Sequence, residues 1–270
     1  MNRPLSGDTR QPLCVRGIFL GELGVIRRYS YWSDRRINSI AMDNGINLER
    51  RRWRLGVKVP ALGFLPQAEA TEERRALQRH ETSVQLERAI GRLAVEDFTT
   101  PPPARFVKGF GEITLAAYSR WYPKNKSERK GIIAHATTLS GDGQLVEICL
   151  FGSVEHCSDY LPGPEVEAPM WSSSSTWAIQ EFITNHGKKP APIYDDDESI
   201  AVEIVRVFNN EGMTGKYVFK RILEAEWFAE VYHDVVLDDN RWNQRRLTSD
   251  WPHRIDRIVI GAPLWVHSVL

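Results

Sequence analysis

The run Trp171-Ser172-Ser173-Ser174-Ser175-Thr176-Trp177-Ala178 sets five hydroxyl side chains in succession ahead of an apolar helical pattern. Ser and Thr are favoured helix N-caps because their side-chain oxygens accept the free N–H groups of the first turn, and one such residue would suffice. Whichever of Ser172 to Thr176 is the cap, the residue three positions on is neither Glu nor Gln, so no capping box forms. The first acid downstream is Glu181, beyond the first turn of any such helix. Free N–H groups, several hydroxyls and no local carboxylate make a seat for an external phosphate or carboxylate. The expected ligand set is Ser173, Ser174, Ser175 and Thr176 for hydroxyls and N–H groups, with Arg35 or Arg36 as countercharge. Gly152-Ser153, at the end of an apolar strand, is expected to bring backbone N–H groups close to the same ligand.

Other residues could do chemistry of a different kind. His135-Ala136-Thr137 follows Ile132-Ile133-Ala134, the apolar strand and HxT arrangement that two-histidine phosphoesterases use for acid, base and phosphate contacts. A second HxT, His80-Glu81-Thr82, falls in a charged helical stretch instead. His156 and Cys157 are neighbours, but adjacency in sequence does not give a thiol and its base their mutual geometry. Asp195-Asp196-Asp197-Glu198 precedes Ile200, Ala201, Ile204, Val205 and Phe208, an apolar stripe of helical spacing, so these acids read as a helix start and not as a metal site. From Arg27 to Lys58, nine Arg or Lys residues face three acids, a local surplus that could meet phosphates, with Trp32 and Trp53 available to stack on bases. No Walker loop, GxGxxG, HExxH, GxSxG or kinase signature is present.

Equal numbers of basic and acidic residues, 35 each, argue against a general nucleic-acid or membrane-surface protein held by bulk attraction. The three cysteines, Cys14, Cys149 and Cys157, are odd in number and lack CxxC spacing, which implies neither a disulfide framework nor a zinc ribbon. No cofactor or metal is expected. No signal peptide and no uninterrupted apolar stretch of membrane-spanning length is legible, so a cytoplasmic location is expected. The nine tryptophans read as packing residues.

The elements that must position these groups follow from periodicity. Residues 1–11 are polar and expected to be flexible, and residues 12–270 to form a single α+β domain. Strand character runs from Val15 to Trp32, a short helix from about Arg35 to Met42 stops at Asn44-Gly45, and Trp53 to Val59 alternates as a strand. A charged helix is expected between Thr71 and Glu96, with Leu77, Val84, Ile90 and Leu93 on the face that covers a sheet. Pro101-Pro102-Pro103 marks a domain boundary or a stiff connection. Strands follow over Arg105 to Trp121, Gly131 to Leu139 and Gln144 to Phe151, the last two joined by the hairpin signal Ser140-Gly141-Asp142-Gly143. The Ser-rich helix is expected to end at His186-Gly187, and another helix is expected from Gly215 to Glu226. Trp227 to Leu237 is ambiguous, and Arg257 to Val266 reads as a buried strand bent at Gly261 and Pro263. Adjacent strands joined by hairpins favour an α+β fold, with a mostly antiparallel or mixed sheet and helices packed on it.

Three stretches together resemble an uncharacterised bacterial domain family of unknown function. They are Tyr31-Trp32-Ser33-Asp34-Arg35-Arg36-Ile37, Leu150-Phe151-Gly152-Ser153-Val154-Glu155-His156, and Val259-Ile260-Gly261-Ala262-Pro263-Leu264-Trp265-Val266. The resemblance spans about residues 29–267 and implies one fold, little chemistry, and the setting of a sensor or accessory protein in bacterial conflict systems. The leading expectation is therefore a non-catalytic module that binds a small anionic ligand or nucleotide. The alternatives are a phosphoester- or nucleotide-processing enzyme using His135 or His156, and a scaffold that binds a protein partner.

Overall fold

Ser140-Gly141-Asp142-Gly143 turns the chain back on itself as its composition predicts. Ser140 donates its N–H to the Gln144 carbonyl at 2.9 Å, and Gly143 takes the positive φ of 85° that a side chain would resist. The computed structural model describes residues 27–48, 67–122, 127–159, 175–186, 196–210, 218–237 and 255–269. The strand expected at Trp53 to Val59, and Cys14, lie outside them. The turn joins β4 (Ser127–Leu139) to β5 (Leu145–Ser153), and β4 also pairs antiparallel with β3 (Phe106–Tyr122).

The sheet does not stop there. The second edge of β5 takes β7 (Arg257–Val269) in parallel register, from Val146 opposite Arg257 to Leu150 opposite Gly261. β7 runs antiparallel along β6 (Val218–Val236), and β6 returns to the far edge of β3. Strands β3, β4, β5, β7 and β6 therefore close into a five-stranded barrel whose interior side chains can fill. Alternation along each strand supplies that filling: Ile113 and Leu115 from β3, Ile132 and Ala134 from β4, Ile148 and Leu150 from β5, Trp227 from β6, Val259 from β7. Two short strands extend the barrel wall, β1 (Arg27–Trp32) antiparallel to β7 and β2 (Ala94–Val95) parallel to β3. The sheet is thus mixed and mostly antiparallel in an α+β fold, as the sequence predicts. Tyr29 to Trp32 and Ile258 to Val266 share it.

Gly261 is the point of closest approach. A side chain there would overlap the Glu230 backbone carbonyl, so only glycine lets β7 press against β6 where Tyr232 bulges out of register. One barrel mouth is closed by Phe98 and Ala104 around Arg257, which forks onto Asp234 with Nε at 2.7 Å from Oδ1 and Nη2 at 2.6 Å from Oδ2. Arg257 Nη1 also donates to the carbonyls of Phe98 and Thr100, each at 2.7 Å, and Asp234 Oδ2 accepts the Ala104 N–H at 2.7 Å. Pro101 to Pro103 is therefore a tied connection between two strands of one sheet.

Helices cover the outside. α3 (Ser175–His186) and α4 (Asp197–Asn210) bury Ile179, Phe182, Ile204 and Phe208 against Tyr118, Ile133, Phe151 and Ile260. The acids before α4 start a helix, as expected: Asp196 accepts the Ser199 N–H at 2.7 Å. α1 (Asp34–Asp43) and α2 (Gln67–Ile90) cover the other side, where Trp32, Trp265, Phe228 and Phe106 stack in a row across β1, β7, β6 and β3. Among the described residues no helix is long and apolar enough to cross a membrane.

Two expectations are corrected. Residues 218–226 belong to β6, because the stretch pairs across β3 and β7 and its tertiary partners override the local helical pattern. Of the positions expected to face the sheet Ile90 is buried, but Leu77 on α2 and Leu93 in the 3-10 turn after it are 65% and 53% exposed, and Ser83 and Leu86 are buried instead. Apolar contact at Leu86 and Ile90 and polar partners on the barrel together orient this helix.

Candidate functional site

Ser33 donates the last bond from this strand to β7, its N–H to the Leu264 carbonyl at 2.9 Å. α1 begins at once, and Ile37, Ile40 and Ala41 bury its inner face. Ser33 makes no side-chain cap bond, so the first-turn N–H groups of α1 lack the usual hydroxyl acceptor. The Asp34 carboxylate accepts the Trp32 indole N–H at 2.9 Å. Arg35 stands exposed on the opening turn. Arg36 reaches β6, where it hydrogen-bonds the Tyr232 hydroxyl, lies 5.5 Å over that ring, and sits 3.3 Å from Glu230 Oε2. Tyr232 is available because it is the extra residue of the bulge between Val231 and His233. Burial pushes its phenol up to about 12, so it stays protonated.

Tyr31 sits at the centre. It is buried, and its hydroxyl occupies the space over Gly152, where a Cβ would stand 2.7 Å from the oxygen. Burial holds its phenol far above the ordinary value, while Arg36, the Ser153 backbone and the Ser33 hydroxyl pull the other way. Gly152 pairs with Ile132 and Ser153 with Gly131, so both finish β5 before the short 3-10 turn Val154–His156. The group that stands close over Gly152 is the Tyr31 ring. His156 meets that ring edge-on at 5.6 Å. Its pKa is lowered, first by burial, with Arg36 and Arg35 adding to the effect while Glu155 and Asp34 oppose it, so the imidazole is neutral at pH 7.

Of the residues singled out in sequence, Arg36, Gly152, Ser153 and His156 are thus gathered around Tyr31 at the end of the barrel opposite Arg257, with Arg35 near enough to act on the charge of His156. Ser175 and Thr176 are the first two residues of α3, and Ser173 and Ser174 lie outside the described residues. His135 is elsewhere, on the outer face of β4, stacked on Phe208 at 4.3 Å and hydrogen-bonded to Glu147, which also accepts the Thr137 hydroxyl at 3.0 Å. His80 is on α2 beside Arg27, so the two HxT segments do not face each other. The two described thiols are protonated at neutral pH: burial pushes Cys157 up to about 12 and Cys149 well above its ordinary value.

Sequence reasoning missed Tyr232 and Glu230, whose role depends on a bulge with no local signature, and Glu147, which meets His135 only across a hairpin. The alternation of β4 and β5 about the Ser140 turn was the one signal that could have paired Thr137 with Glu147. Among the described residues no group of three His, Cys, Asp or Glu side chains is placed to hold a metal ion. What the Tyr31 site offers is an exposed cation, a second cation anchored by a carboxylate and a phenol, a neutral imidazole, and an uncapped helix turn. No family model matches the chain, and no curated protein and no solved structure matches it either.

Proposed function

We propose that the chain is a binding module without chemistry of its own, which takes a small anionic ligand, a phosphate-bearing molecule or nucleotide, at the opening of α1. Arg35 supplies the charge and the first-turn N–H groups supply directed donors. His156 and Ser153 line the approach, and Arg36 is held rigid by Tyr232 and Glu230 as a supporting cation. The observation that carries this reading is that Arg35, Arg36 and His156 lie near a helix start that no side chain caps, while the one first-turn acid, Asp34, is turned back onto the Trp32 indole N–H. Ser175 and Thr176, which open α3, remain a second candidate seat for the same class of ligand.

Thermal-shift measurement against phosphate, pyrophosphate and a nucleotide panel tests it. A ligand at a hundredfold its dissociation constant adds about 2.7 kcal/mol of stability. The shift should vanish in Arg35→Glu and survive in Ser175→Ala/Thr176→Ala. No shift with any of these ligands, or one indifferent to Arg35, contradicts the reading.

A second reading, a phosphoester- or nucleotide-processing enzyme acting through His135, is favoured by one observation: Glu147 and Thr137 orient the imidazole as an acid or base is oriented in catalysis. His135→Ala would then lower turnover by about a hundredfold or more. Unchanged activity removes this reading.

A further inference from the structure

α2 meets the barrel through charge as much as through apolar surface. Toward its C-terminus Leu86 and Ile90 are buried against Tyr29, Phe106 and Phe228. Beside them Glu87 receives the Lys108 ammonium of β3 at 2.8 Å, and one turn earlier Ser83 shares a hydrogen bond with the Tyr29 hydroxyl at 3.1 Å. At His80 the contact is with a cation: Arg27 Nη1 of β1 lies 2.7 Å from both ring nitrogens. A nitrogen equidistant from both lies off the in-plane lone pair of either, so the contact is a close approach of a cation to the ring, which a neutral imidazole tolerates and a charged one does not. A protonated ring has no acceptor and carries the same charge as its partner. The groups facing His80 are Arg27 from β1, His267 from β7, Glu226 from β6 and Glu81 from its own helix. Glu226 is itself engaged by His267 at 3.1 Å and feels Lys108 and Arg27. Glu226 is therefore already engaged, and Glu81, on the helix itself, moves with His80 and cannot hold the protonated ring against β1.

We propose that the seam between α2 and the barrel is a proton-operated latch, in which protonation of His80 frees the helix from β1 around residues 79–83 while Leu86 and Ile90 keep its C-terminal end in place. Burial and the neighbouring Arg27 and His267 already lower the pKa of His80 in the docked state. The docked state thus binds fewer protons than the released one, and docking weakens as the pH falls below the ordinary histidine value of 6.5. Release would also withdraw Arg79 from the face of Trp32, where its guanidinium lies 5.5 Å from the ring. The latch stands independently of what binds near α1.

Hydrogen–deuterium exchange of the full chain at pH 7.5 and 5.5, corrected for intrinsic exchange rates, reads it directly. Peptides covering 77–85 should lose protection at least tenfold at pH 5.5, while peptides over 132–136 and 258–262 remain unchanged. His80→Gln keeps an acceptor and cannot titrate, so it should abolish the difference. Arg27→Gln, which removes the repulsion, should shrink it and serves if the first variant does not fold. Equal protection at both pH values, or a wild-type difference in both variants, overturns the proposal.

Discussion

Replacing Asp234 with alanine should bring the protein to the edge of unfolding. Arg257 and Asp234 have side chains only 2% and 0% exposed, so truncating the acid strands a guanidinium in the barrel mouth. A broken buried pair of this kind costs about 3–5 kcal/mol. The Ala104 N–H, which donates to Asp234 Oδ2, loses its acceptor as well, for about 1–3 kcal/mol more. The sum is comparable to the whole stability of an ordinary domain, about 5–15 kcal/mol. Urea denaturation followed by tryptophan fluorescence measures the loss as a shift in midpoint. The double variant Arg257→Met/Asp234→Leu removes both charges and should recover at least about 2 kcal/mol of the single variant's loss, because an unpaired buried charge is worse than none. A single variant within about 1 kcal/mol of wild type, or a double variant less stable than the single, refutes the reasoning.

Gly261→Ala should destabilise by about 1–3 kcal/mol or more, since the added methyl meets the backbone of Glu230 and not a movable side chain; a neutral midpoint by chemical denaturation contradicts the close approach of β6 and β7. The His267 hydrogen bond holds Glu226 below its ordinary value of 4.5, so its contribution is present above that pH and lost as the pH falls through the lower folded value. Glu226→Gln should accordingly flatten the acid limb of a stability–pH profile, and an unchanged limb speaks against the pair. Cys149 and Cys157 should resist alkylation at pH 8 until the protein unfolds; rapid native labelling at Cys157, read by mass spectrometry, would show that its thiol is neither buried nor raised.

The parts of the fold legible in sequence are those whose signals are local. Ser140 to Gly143 announced the hairpin, Asp34 and Asp197 the first turns of α1 and α4, and the apolar run from Arg257 to Val266 a strand buried on both faces. Barrel closure was not legible, because the parallel pairing of β5 with β7 joins segments more than a hundred residues apart and leaves no mark on either. β6 hid for a related reason: its bulge at Tyr232 and its contacts with β3 break the period-two pattern that identifies strands. α2 misled because Leu77 and Val84 suggested an inward face, whereas the charges of β1, β3 and β6 take its polar side. At the site, Arg35, Arg36, Gly152, Ser153 and His156 were all visible as residues. The residue at their centre, Tyr31, was visible only as part of a strand and of the stretch that carries the family resemblance.

Backbone amide chemical-shift mapping with pyrophosphate as the probe tests the anion-binding reading most directly. Saturable shifts should concentrate on residues 34–36 and 153–156 and disappear in Arg35→Glu, with the rest of the spectrum unchanged. Shifts confined to the start of α3 at Ser175 and Thr176, or none at a saturating concentration, would contradict the placement of the ligand at α1.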